Sequence, residues 1–220
     1  MTDAKDIEVL PASEAVRRRP ERYVGPLQNR LLPNVLLREA LCCARDDALL
    51  GLCSAVEVTL ASDGRARIRD DGPGLPLTLF PDGTRLAERY LTSLYACAAA
   101  KPPKVADTTC VHGLAILNFL CASLALRIFV DGAEWSQRYE RGVAVDNLKI
   151  VGQTDERGTE LSLSLDPGIL PSREFDVVEF TEWAQANVSS LRVAGGAGHS
   201  FVISYCGRNH PWLIPPPSFP

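Results

Sequence analysis

Along this 220-residue chain, apolar positions recur with helical spacing in some stretches and alternate strictly in others. Leu37, Ala40, Leu41, Ala44 and Ala48 fall on one helical stripe, with Arg38, Arg45, Asp46 and Asp47 on other faces. Gly51 supplies a stop, so one helix is predicted over Leu36–Leu50. Ala55–Leu60 alternates like a half-buried strand, Ser62-Asp63-Gly64 reads as a turn, and Arg65–Arg69 alternates again. Together they predict a β-hairpin that ends in Asp70-Asp71-Gly72-Pro73-Gly74. Ser13–Arg19 reads as a short helix capped by Ser13 and stopped by Pro20.

Further helices are expected over Leu86–Ala100, His112–Ala122 and Phe175–Asn187, with a polar loop over Lys101–Thr109. Strands are expected over Leu124–Val130, Glu134–Glu140, Glu160–Leu165 and Ser200–Tyr205. No Gly-rich βαβ turn joins them, which excludes a Rossmann domain. The fold class is therefore α/β, an α+β two-layer sandwich. Three segments are expected: an arm over 1–10, a single domain over 11–208 and a proline-rich tail over 209–220.

Composition narrows the function classes. Hydrophobic residues make up 46% and charged residues 23%, enough for a real core, which excludes a disordered chain. A net charge of −4 argues against direct DNA binding. No run of 18 apolar residues and no secretory leader is present in the sequence, so a cytoplasmic protein that does not span a membrane is expected. The seven cysteines read as reduced thiols, and without a CxxC no zinc site is expected.

The ordered motifs EAVRRRPERYVG, a helix with a lone glutamate, IRDDGPGLP and VDNLKIVGQTDERGT resemble the N-terminal ATP-binding domain of the gyrase B and topoisomerase IV family, in the GHKL superfamily. The resemblance runs from about Ile7 to Tyr205. It implies the GHKL (Bergerat) fold: a mixed, mostly antiparallel sheet with helices on one face. It also implies ATP as ligand, with Glu39 as the general base on the attacking water. Asp70 would accept from the adenine amino group, and Gly72, Gly74, Leu75, Pro76 and Gly113 would line the nucleotide site. Thr159 would support Asp70.

The chain also departs from the family pattern. Cys43 stands where the Mg²⁺-ligating asparagine is expected, and a thiol is a poor ligand for a hard cation. Pro73 replaces an arginine that pairs with an acid at the position of Asp47, and Ser136 replaces an arginine of the pocket mouth. The phosphate lid, Asp107–Gly113, keeps only Gly113 of its glycines. A degenerate domain follows as one expectation: a pseudo-ATPase or weak nucleotide binder that regulates or partners another protein, a topoisomerase subunit or a second copy. A functional ATP-binding domain of a divergent type II topoisomerase, and a pocket turned to another small ligand, remain as alternatives.

Overall fold

The computed structural model describes residues 10–105, 112–189 and 200–206. All but the last residue of the arm expected over 1–10, most of the lid and the whole tail expected over 209–220 lie outside the described residues.

The hairpin forms as its alternation predicts: β1 (Ala55–Ala61) pairs antiparallel with β2 (Arg65–Asp70), Val58 opposite Ile68. Five further strands are β3 (Cys121–Val130), β4 (Ala133–Glu140), β5 (Val143–Ala144), β7 (Gly158–Leu165) and β8 (Ser200–Cys206). With the hairpin they run in the order β5-β4-β3-β7-β2-β1-β8, and β6 (Lys149–Gln153) pairs with β4. Among the described residues only the β1–β8 pairing is parallel. This is the expected two-layer class with a mixed, mostly antiparallel sheet.

Strand alternation sorts the two faces. Val56, Val58, Leu60, Ile68, Leu126, Ile128, Leu161 and Leu163 are buried in the core. The intervening positions carry an ionic ladder: Glu160 accepts from Arg67 and Arg127, and Arg127 also donates to Glu134. Asp70 shares the parity of Ile68, and Thr159 that of Leu161, so both belong to the core-side set. This parity brings a carboxylate to the inner face at the end of a strand.

The helical layer is α1 (Ala12–Arg18), α2 (Glu21–Val24), α3 (Leu32–Ala40), α4 (Cys42–Leu49), α5 (Leu86–Thr92), α6 (Ala96–Ala99), α7 (Leu114–Leu120) and α8 (Val177–Ala184). At its centre lies α7, every residue of which is buried. It packs against α1, α3 and α5. Asn118 donates to the Leu91 carbonyl of α5 at 2.9 Å, and Arg17 of α1 donates to the Phe119 carbonyl at 2.8 Å. Asn34 of α3 donates to the Asp176 carbonyl and to Glu179, tying α3 to the start of α8.

Several boundaries differ from the sequence reading. The cap of α1 is Pro11, without a side-chain hydrogen bond, so Ser13 does not cap it. The single helix expected over 36–50 is two, meeting at Leu41, which ends α3 and begins α4. The helix expected over 86–100 breaks after Thr92, and Tyr95 adopts a left-handed conformation at φ 65°. The helix expected over 112–122 passes straight into β3 at Cys121, and α8 continues as a π-turn over Gln185–Ser189.

Candidate functional site

Asp70 ends β2 and turns its carboxylate into the helical layer. Its Oδ1 accepts from the amides of Gly72 (2.9 Å) and Thr159 (3.2 Å). Among the described residues no donor reaches Oδ2. Thr159 returns the contact one step on, its Oγ1 accepting from the Leu75 amide at 3.1 Å. The DDGPGLP loop is therefore held to β7 from both ends. Gly74 sits at φ 81°, and a Cβ there would lie 2.9 Å from Ile128 Cγ2; only glycine fits without strain. Leu75 is buried in the core, and the Pro76 carbonyl accepts from Ala87 of α5 at 2.9 Å. Asp70, Gly72, Gly74, Leu75, Pro76 and Thr159 thus come together in one place.

The acids around this loop are strongly perturbed. Burial raises Asp70 to about 6, against the amides of Gly72 and Thr159. Asp47 of α4 is raised to about 7 by burial, then by the charges of Asp70 and Asp46, with Arg157 opposing. The Asp47 and Asp70 carboxylates flank Gly72, where a Cβ would meet both, at 3.3 and 2.9 Å. Asp71 goes the other way: despite burial, the Ser54 hydroxyl and the Ser54 and Ala55 amides hold it at about 2.

Pro73 leaves the rim without a cation from its own loop, and another arrives from the far side. Arg157, just before β7, donates through Nε to the Gly72 carbonyl (3.1 Å) and through a terminal nitrogen to the Leu52 carbonyl (3.0 Å). It staples the loop to the end of α4 beside Asp47. Ser136 lies on β4, opposite Arg127, with β3 between it and the strand of Thr159.

Glu39 and Gly113 meet, though not as a base facing water. Glu39 closes the last turn of α3 and is only 7% exposed. Its Oε2 accepts from the Gly113 amide at 2.7 Å and the His112 amide at 3.2 Å, the first N–H groups leading into α7. A carboxylate from within the protein thus occupies amides of the kind that serve an anionic ligand. In α4, Asp46 pairs with Lys101 at 2.8 Å, the lysine side chain only 5% exposed. Cys43 lies between them, half-buried. Arg157 and Lys101 are the residues that sequence reading missed: Arg157 lies inside the VDNLKIVGQTDERGT motif without an assigned role, and Lys101 reaches the site from a loop that no motif marks.

No family model matches the chain. It is 35% identical to the B subunit of the DNA gyrase of Thermotoga maritima over 176 residues, which cover 79% of this chain and 28% of the relative. The chain is gyrase-B-like. Likeness to the gyrase B protein of Enterococcus faecalis is 32% over 185 residues, 83% of this chain and 28% of the relative. Likeness to the B subunit of the type 2 topoisomerase of Aquifex aeolicus is 32% over 181 residues, 80% and 23%. This gyrase-B-like chain therefore spans less than a third of the length of the curated relatives it matches. Among its described residues, no helix is long and apolar enough to cross a membrane.

Proposed function

We propose that this gyrase-B-like domain binds the base of an adenine nucleotide but no longer turns over its triphosphate. The observation that carries this reading is the Glu39 carboxylate seated on the Gly113 and His112 amides. A general base needs a lone pair facing the attacking water, and phosphoryl transfer needs free donors around the phosphates. Here one internal contact engages both.

The side chains around Cys43 do not fit Mg²⁺, which takes oxygen ligands in near-octahedral array. Position 43 offers sulfur, and the Asp46 carboxylate is paired with Lys101. Base recognition is better supported. Among the described residues no donor reaches Asp70 Oδ2, its Oδ1 is fixed by two amides, and the loop beneath it is held by Thr159. A domain of this kind acts through its nucleotide-dependent shape, as a regulator or partner of another protein, a type II topoisomerase subunit or a second copy.

Calorimetric titration tests the reading. ADP and ATP are expected to bind with affinities within a few-fold of each other, unchanged by Mg²⁺. Asp70→Ala is expected to weaken ADP by at least about tenfold, the worth of one hydrogen bond to a charged group. Tight ATP binding that depends on Mg²⁺, with phosphate release abolished by Glu39→Gln, would establish an active ATPase instead.

A further inference from the structure

The sheet has two margins, and they are built differently. One is carried by β5 and β6, both laid along β4. Strand β5 is two residues long, β6 opens on the exposed Lys149, and the β6 ladder to β4 skips Val151. Short strands, lysines and bulges are the devices that keep a sheet edge from pairing with another chain. The other margin is β8, and it has none of them. Ser200–Cys206 reads SFVISYC, seven residues without a charge, a proline or a glycine. They follow β1 from Ala55 to Ala61 with no shift of register.

Among the described residues no strand lies on the side of β8 away from β1, and there every second residue turns its N–H and C=O outward. Val202 and Tyr205 are each 49% exposed, and Ser204 is exposed. Ile203 and Tyr205, opposite Val58 and Leu60, belong to the core-side set, and Ile203 packs against the core. Val202 and Ser204, opposite Glu57 and Thr59, belong to the outer face. The sequence after β8 offers no regular cover. Seven paired residues need an unbroken run of backbone donors, and proline has none. Pro211 ends the first run after four residues, and Pro215, Pro216 and Pro217 end the next after three. A second copy of β8 supplies what is missing: seven residues in a row, with no charge to repel its own kind.

We infer that two copies of this chain join through β8, antiparallel about a two-fold axis at Ile203, into one continuous sheet. Such a pairing uses the same edge on both copies and so consumes it. The guarded margin at β6 cannot extend the assembly, which stops at two. Val202 of one copy falls opposite Ser204 of the other, and Ile203 meets Ile203, which carries the core-side apolar row across the axis. Glu57, the one charged residue of β1, stands at least three strand spacings from its counterpart, about 14 Å. At physiological salt that distance exceeds the screening length, so the two carboxylates do not oppose the pairing. The inference goes beyond the nucleotide reading and does not depend on it.

The experiment uses the full chain in reducing buffer, without nucleotide, from about 1 to about 100 µM. Light scattering after gel filtration is expected to give a mass that rises with concentration to twice that of the chain. Over the same range, amide hydrogen exchange should slow in β8. Val202→Lys and Ser204→Lys each put a lysine on the exposed outer face, about 7–8 Å from its counterpart across the axis. Each is expected to weaken the dimer at least about tenfold and to leave the urea midpoint of the dilute monomer in place. Three results overturn the proposal. The first is a monomer at every concentration. The second is a dimer that neither lysine weakens and that leaves β8 exchange unchanged. The third is a chain that dimerises only once residues 207–220 are removed, which would make the tail the cover of β8.

Discussion

Gly158→Ala is expected to cost the domain about 4 kcal/mol, a loss at the extreme of single substitutions. Gly158 opens β7 at φ 110°, a conformation that side-chain-bearing residues rarely adopt. A Cβ there would lie 2.0 Å from the Asp70 carbonyl oxygen and 2.7 Å from its carbon, both backbone atoms. Nothing flexible can give way. Either the end of β2 moves off, breaking the Asp70–Thr159 contact, or Gly158 rotates and leaves its register opposite Phe129. The urea midpoint should fall by roughly 2 M, given the slopes usual for small domains. Gly152→Ala is the control, because no atom lies within 4 Å of its added Cβ. It should change stability by no more than about 0.5 kcal/mol. An unmoved midpoint for Gly158→Ala would overturn the close approach of the two strands.

The second large effect is a loss of stability from weakly acidic to alkaline pH, carried by Asp47. Its carboxyl is raised from an ordinary 3.8 to about 7, and that of Asp70 to about 6. For an acid raised by folding, the folded state holds protons that the unfolded state has released. The stability linked to these protons is therefore complete below about pH 4 and is lost as pH rises through 6 and 7. Asp71, held at about 2, has the opposite sign: its contribution is present above about pH 4 and lost toward pH 2. The three together place the stability maximum near pH 4.

Asp47→Asn removes a buried charge that repels Asp70 and Asp46. The shift at Asp47 corresponds to roughly 4 kcal/mol if taken whole. Its partial exposure screens that figure, and about 1–2 kcal/mol of gain is expected at pH 8. Close to pH 4.5 the variant and the parent should be equal. Urea midpoints at the two pH values decide it. An equal gain at both would mean that the proton on Asp47 is not the cause.

The hairpin was legible because its alternation and its turn agree. Val58 and Ile68 fall opposite one another, and Ser62-Asp63-Gly64 closes the loop. The break at Leu41 was not legible, since its φ and ψ of −86° and −5° stay near helical values and the apolar stripe runs on through it. The change from α7 to β3 was hidden for a different reason. Both elements are apolar, and neither Gly nor Pro occurs over 114–130 to mark the change. Strand β6 escaped because Lys149, Ile150 and Val151 are all exposed, so burial imposes no alternation on them. In the site, Asp70, Gly72, Gly74, Leu75, Pro76 and Thr159 are brought together by one loop and β7. Arg157 and Lys101 act through contacts between distant segments, with the Gly72 carbonyl and with Asp46, and no local pattern encodes such contacts.

The parallel pairing of β8 with β1 also sets the order in which the molecule can be made. Ala55 lies opposite Ser200, so about two-thirds of the chain separates two neighbouring strands. During synthesis the first hairpin emerges early, but one side of β1 keeps its N–H and C=O groups open until β8 leaves the ribosome. Contacts of such long sequence separation form slowly. An uncovered strand edge meanwhile invites pairing with a neighbouring chain. The growing polypeptide thus passes through a long interval with a sticky margin.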